Sequence, residues 1–138
     1  MHVDATQSPA LFRLASERLG GHYRHDWNQK ILTLIGARGI VSQAVFTSIS
    51  PEVKFELTMW ATPAARGLGG RHFIRSIFRV GFMEWGCLRA TAITRATNEK
   101  AQRALVQLGF TFETDLGRWF GAEDGMCFRM YREDCKWL

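Results

Sequence analysis

The sequence predicts one α/β domain over residues 1–138, a mixed and mostly antiparallel central sheet flanked by helices. Three observations predict it. Runs rich in β-branched residues follow one another closely between residues 31 and 61, as in an antiparallel meander. From residue 65 onward, stretches with helical spacing alternate with single strands, the pattern of β-α-β units. The length, 138 residues with 46% hydrophobic and 22% charged, suits a single globular core.

Ser8–Pro9 is a helix start, serine as N-cap and proline at the first helical position. Leu11, Phe12, Leu14, Ala15 and Leu19 give the apolar stripe, and Gly20–Gly21 ends it. His22–Asn28 reads as a polar, aromatic loop. Ile31–Ile35 and Ile40–Thr47 are strands joined by the turn Ala37-Arg38-Gly39. Val53–Ala61 alternates as a third strand, with Val53, Phe55, Leu57 and Met59 on one face and Lys54, Glu56, Thr58 and Trp60 on the other.

Phe73, Ile74, Ile77, Phe78, Phe82 and Trp85 recur at helical spacing towards Gly86. Leu88–Thr94 is a strand, Asn98–Leu108 a helix closed by Gly109, and Phe110–Phe120 with Met126–Arg132 a final hairpin around Gly121–Gly125. No repeat, linker or low-complexity run interrupts this order.

Composition narrows the function classes. No window approaches the roughly 18 uninterrupted apolar residues of a membrane span, and Met1–Ala10 has no signal-peptide core, so a cytoplasmic location is expected. Cys87, Cys127 and Cys135 are odd in number with no C-x-x-C pair, and are read as reduced thiols rather than a zinc site. The net charge of +5 comes from fourteen arginines against four lysines. It favours an anionic partner, although the arginines are scattered and nucleic acid is not the favoured one.

The stretch ARGLGGRHFIRSIF, residues 65–78, places Arg66, Gly67, Leu68, Gly69, Gly70 and Arg71 ahead of an amphipathic helix. Three glycines in four residues are costly to a helix, by about 1 kcal/mol each relative to alanine. A bare backbone at a helix N-terminus suits an anion, which meets unpaired N–H groups and the positive end of the helix dipole. It is not a Walker loop, since the Lys-Ser/Thr pair is missing, nor a full G-x-G-x-x-G, since His72 stands at the last position.

Trp60-Ala61-Thr62-Pro63, Arg66-Gly67-Leu68-Gly69, the long helix and Asn98 through Leu108-Gly109-Phe110 together resemble the GNAT acyltransferase superfamily. In that family a loop of the form Q/R-x-x-G-x-G/A holds the pyrophosphate of acyl-coenzyme A. With Pro63 aligned, Arg66 takes the Q/R place and Gly69 the glycine, and Arg71 departs from the usual small residue. A register shifted by two pairs Gly67 with Gly69 but leaves Ala64 at the Q/R place. Helix length and proline spacing favour the first. The resemblance covers Val53–Arg132 well and the first 50 residues in element order. Glu56-Leu57-x-x-Trp60-Ala61-Thr62-Pro63 is similar to the branch that acetylates ribosomal-protein N-termini. The closing Tyr131–Leu138 is similar to small acetyltransferases of phages and prophages.

The resemblance implies a GNAT fold and acetyl transfer from acetyl-coenzyme A to an amine acceptor, on a protein or peptide, with no metal. It assigns the thioester to backbone N–H groups at Met59, Trp60 and Ala61, an oxyanion-type role. It gives the pyrophosphate to residues 66–71 and the pantetheine arm to the segment opened by Asn98, itself a good N-cap. Glu56, the only acidic residue inside the central strands and seven residues before Pro63, becomes the general base or amine-positioning group; its bland alternative is pairing with Lys54 or an arginine. Leu105 stands where the family often has a tyrosine acid. His25 and Asp26, in a loop bordering the acceptor groove of that fold, are substrate contacts rather than metal ligands. The rival class is a GNAT-shaped binding module that grips a host protein or nucleic acid through its basic surface without turnover; strong salt dependence would mark nucleic-acid binding.

Overall fold

The computed structural model describes residues 1–138. Its strands are β1 (His2–Asp4), β2 (Lys30–Gly36), β3 (Gly39–Ser50), β4 (Lys54–Ala61), β5 (Arg89–Arg95), β6 (Thr111–Phe120) and β7 (Glu123–Tyr131). Its helices are α1 (Pro9–Leu19), α2 (Leu68–Phe78) and α3 (Glu99–Leu108). The strands form one sheet in the order β1-β2-β3-β4-β5-β7-β6. Every pairing is antiparallel except β4 with β5. That parallel pair needs a crossover, and α2 supplies it.

The predicted punctuation forms each helix. Ser8 accepts the Leu11 N–H at 3.3 Å, Pro9 occupies the first position of α1, and Gly20 closes it at φ +74°. Asn98 accepts the Ala101 N–H at 3.1 Å and caps α3, which Gly109 ends at φ +109°. Down α2, Phe73, Ile77 and Phe78 are buried while Arg71, Arg75 and Arg79 are exposed.

The sheet separates two apolar layers. The larger joins Leu34, Phe46, Phe55 and Leu57 to Phe73, Ile77 and Phe82, with Ala90, Phe110 and Phe128 at its far side. The smaller lies under α1: Phe12, Ala15, Ile31 and Val45. Burial of such side chains stabilises by roughly 1.5–3 kcal/mol each. The indole of Trp137 donates to the Leu108 carbonyl at 2.8 Å and ties the C-terminal turn to α3.

Three features differ from the sequence reading. β1 has only three residues, too short for its alternation to register, yet it pairs along β2 from His2↔Ile35 to Asp4↔Thr33. The helical run to Gly86 changes character at Arg79–Glu84, where a wide π-type turn sets Trp85 N–H on the Val80 carbonyl at 3.0 Å. Gly81 there lies against the Phe55 ring, which a Cβ would approach to 2.2 Å. The last hairpin turns on Gly121–Ala122 rather than Gly121–Gly125, because Phe120 pairs with Glu123.

Candidate active site

β4 and β5 pair only at Lys54↔Arg89, Phe55↔Ala90 and Glu56↔Thr91. Beyond that point they share no pairing, although β4 continues to Ala61 on β3 and β5 continues to Arg95 on β7. The inner edges therefore part into a gap lined by main-chain N–H and C=O groups, which need partners from outside the sheet. Met59, Trp60 and Ala61 end β4 beyond its last pair with β5.

Strand alternation assigns the two faces of this gap. Phe55 and Leu57 enter the larger core, so Glu56, Thr58 and Trp60 face the α1 side. Thr47 donates its hydroxyl to Glu56 Oε2 at 3.4 Å. No lysine or arginine forms an ion pair with Glu56. The expected partner, Lys54, instead donates to the Ser48 carbonyl at 3.2 Å. The pairing alternative for Glu56 is thus not what the structure contains.

Trp60 is pinned. The Arg18 guanidinium lies 4.6 Å from its ring centroid, its indole N–H donates to Gln43 Oε1 at 2.9 Å, and its carbonyl accepts the Ser42 hydroxyl at 2.7 Å. Gln43 is fully buried and donates onward to the Leu11 carbonyl at 3.0 Å, locking α1 to the end of β4. Gln43 and Arg18 were not singled out from the sequence. The available signal was a Ser-Gln pair inside the apolar run Ile40–Phe46.

On the opposite face, α2 follows the turn Pro63–Ala65 that leaves the end of β4. Gly67 holds φ +94°, a conformation that favours glycine, and its carbonyl accepts the first i→i−4 bond, from Arg71 N–H at 3.1 Å. The N–H groups of Leu68, Gly69 and Gly70 precede that bond and have no acceptor within the helix. Two of the glycines also answer to the protein itself. A Cβ on Gly70 would lie 1.7 Å from the Ala65 carbonyl oxygen, so this turn is seated on Pro63–Ala65. A Cβ on Gly69 would meet the Met1 sulfur at 2.7 Å. Arg71 and Arg66 are both exposed, and neither makes an ion pair.

The sequence reading missed Thr94. It lies on β5 beyond the last pair with β4 and alternates with Ala90 and Ala92 of the larger core. It is 8% exposed, and its hydroxyl is the one buried side-chain polar atom without a hydrogen bond. A buried hydroxyl left this way costs about 1–3 kcal/mol. Asn98 uses its oxygen as the α3 cap, which leaves its amide nitrogen for a ligand. Leu105 packs against the larger core. These groups fit an elongated ligand with an anionic end: helix N–H groups for phosphates, and Thr94 with the β4 edge for amides.

In the loop before β2, Asp26 accepts the Trp27 N–H at 2.7 Å and lies 3.8 Å from Arg24. The His25 ring sits 6.1 Å from Phe12. Both are therefore held by neighbours within or beneath the loop. Across the sheet, Arg89 grips Glu113 with both terminal nitrogens and holds its carboxyl below the usual range. Burial, and then the nearby Glu113, push the Cys127 thiol up.

A sheet whose central parallel pair parts beside a glycine-led helix start is the GNAT fold, the architecture of many N-acetyltransferases. Among solved structures the chain is similar to a point variant of the spermidine N-acetyltransferase SpeG from Vibrio cholerae, at 15% identity and TM-score 0.75, covering 100% of this chain and 98% of that one. It is also similar to the N-acetyltransferase PseH from Campylobacter jejuni, solved with acetyl coenzyme A, at 19% identity and TM-score 0.61, covering 78% and 70%. No protein-family model and no curated protein sequence matches the chain. No helix is long and apolar enough to cross a membrane.

Proposed function

We propose that the chain is an acetyl-coenzyme A-dependent N-acetyltransferase with an amine acceptor on a protein, peptide or small molecule. The observation that carries this reading is the β4–β5 gap, with a glycine-led helix start and the unpartnered Thr94 hydroxyl on one face and the unpaired Glu56 on the other. Residues 66–71 take the pyrophosphate, Asn98 and Thr94 the pantetheine amides, and the edge of Met59–Ala61 the thioester carbonyl. A cytoplasmic location suits both the cosubstrate and the three free thiols.

The chemistry divides across the sheet. The acceptor amine approaches from the α1 side and loses a proton to Glu56, directly or through water. Its nitrogen attacks the thioester carbon, a C–N bond forms, and the negative charge on the carbonyl oxygen is met by main-chain N–H groups. The nitrogen gives up its second proton to water, the C–S bond breaks, and the thiolate leaves, taking its proton from solvent. Leu105 supplies no acid, and a thiolate tolerates its absence.

The test is calorimetry with acetyl-coenzyme A against adenosine, followed by mass spectrometry of an amine panel. Saturable binding of acetyl-coenzyme A and acetylation of at least one amine are expected. Failure to bind acetyl-coenzyme A overturns the cosubstrate assignment. Binding without turnover on any amine gives the protein to the binding-module class.

A further inference from the structure

On the face that carries Glu56, α1 packs against β2 and β4, while α3 packs against β5 and β6 from the other side. Over β5, β7 and β6 the long side chains of Arg89, Arg129 and Glu113 meet. The register aligns Thr47, Glu56, Thr91 and Arg129 as direct partners across β3, β4, β5 and β7. Directly opposed residues share a face, and adjacent strands lie about 4.8 Å apart, so the Glu56 and Arg129 backbones stand about 10 Å apart. Between them is only Thr91, whose hydroxyl accepts from Arg89 Nε at 2.9 Å.

The charges along this row are unequal in their partners. Arg89 uses all its nitrogens, on Glu113 and Thr91. Arg129 lies with Nε 3.3 Å from Glu113 and its guanidinium 4.4 Å over the Tyr131 ring. Its two terminal nitrogens have no acceptor. One carboxylate thus serves two guanidinium groups, and Lys54 adds a further positive charge on the same face. Glu56, at the closed end of the gap, has no counter-ion.

We infer that this row selects acceptors that carry an anionic group a few bonds from the amine, the amine at Glu56 and the anion on the free end of Arg129. This rests on the acetyltransferase reading for what becomes of the amine. A bidentate guanidinium suits a carboxylate or phosphate. A second ammonium, as in a polyamine, meets Arg129, Arg89 and Lys54 and is repelled. Such an anion comes from a free ω-amino acid or from an acidic residue beside a peptide N-terminus.

The experiment uses the full chain saturated with coenzyme A, titrated with 4-aminobutyrate, n-butylamine and 1,4-diaminobutane. These have the same reach and end in an anion, a neutral group and a cation. A parallel arm uses peptides with a free N-terminus and glutamate or glutamine at the second position. Binding in the order anion, neutral, cation is expected, with roughly tenfold between the first two. Arg129→Gln reduces the anion to the neutral value, and Arg129→Lys keeps part of the preference. A preference confined to one arm identifies the source of the anion. Equal binding throughout, no binding in either arm, or tighter binding of the diamine overturns the inference. Binding of coenzyme A alone and acetyl transfer are read separately, so a failed acceptor preference is not confused with a failed enzyme assignment.

Discussion

Glu56 and Thr91 are the last residues that β4 and β5 hold opposite one another. The gap opens one residue further on, so the carboxylate stands at its closed end, on the face where α1 packs. Glu56→Gln keeps the shape and the contact with Thr47 but accepts no proton. Acetyl-coenzyme A should bind this variant as it binds the parent, while kcat falls by roughly 10²–10⁴. The loss should shrink as pH rises and more of the amine is already neutral. Steady-state kinetics across pH check this, and unchanged kcat at every pH removes Glu56 from the mechanism.

Thr94→Val should move two measurements in opposite directions. The apo protein should melt no lower than the parent and as much as a few degrees higher, because a hydroxyl that costs about 1–3 kcal/mol when buried alone is gone. Acetyl-coenzyme A should bind several-fold more weakly, because the pantetheine arm loses a partner. Thermal melts and calorimetry on one preparation decide it. A stability gain with unchanged affinity would mean that the hydroxyl serves no ligand.

Adjacent glycines should respond differently. Gly70→Ala drives a methyl into the Ala65 carbonyl and should destabilise by about 1–3 kcal/mol, with loss of coenzyme A binding. Gly69→Ala meets only the flexible Met1 side chain and gains up to about 1 kcal/mol of helix propensity, so stability should hold or rise. Equal losses at both positions would contradict the seating of α2 on Pro63–Ala65.

The Arg89–Glu113 pair sets a pH dependence. Hydrogen bonding from Arg89, with its charge and that of Arg129, lowers the Glu113 carboxyl below its ordinary value of 4.5. A depressed carboxyl contributes stability above its unfolded value, and that contribution is lost as pH falls from about 4.5 through the lower folded value. Glu113→Gln should therefore lower the melting temperature at pH 7 and flatten its decline below pH 5, which a series of thermal melts would read.

Local chemistry was legible in the sequence. Ser8 with Pro9, Asn98, and the closing Gly20 and Gly109 marked α1 and α3, since caps are made by residues within a turn of one another. Alternation along Val53–Ala61 put Glu56 and Phe55 on opposite faces, as they are. Residues 65–78 were readable as a glycine-led helix start, and the GNAT fold came from the resemblance of Trp60–Pro63, Arg66–Gly69 and Asn98–Phe110 to that superfamily.

What only the tertiary structure decided depends on distant segments meeting. Gly70 is bare because the Ala65 carbonyl lies where a Cβ would stand, a contact that the glycine pattern alone does not reveal. Thr94 looks like an ordinary strand threonine until the fold buries its hydroxyl without a partner. Gln43, Trp60 and Arg18 join across β3, β4 and α1, and Arg129 joins the Glu56 row only because β7 inserts between β5 and β6. Hydrophobic periodicity fixes which face a residue takes, since that is set by its own backbone. Which residues then share that face follows from strand order, and strand order is set by packing of the whole sheet.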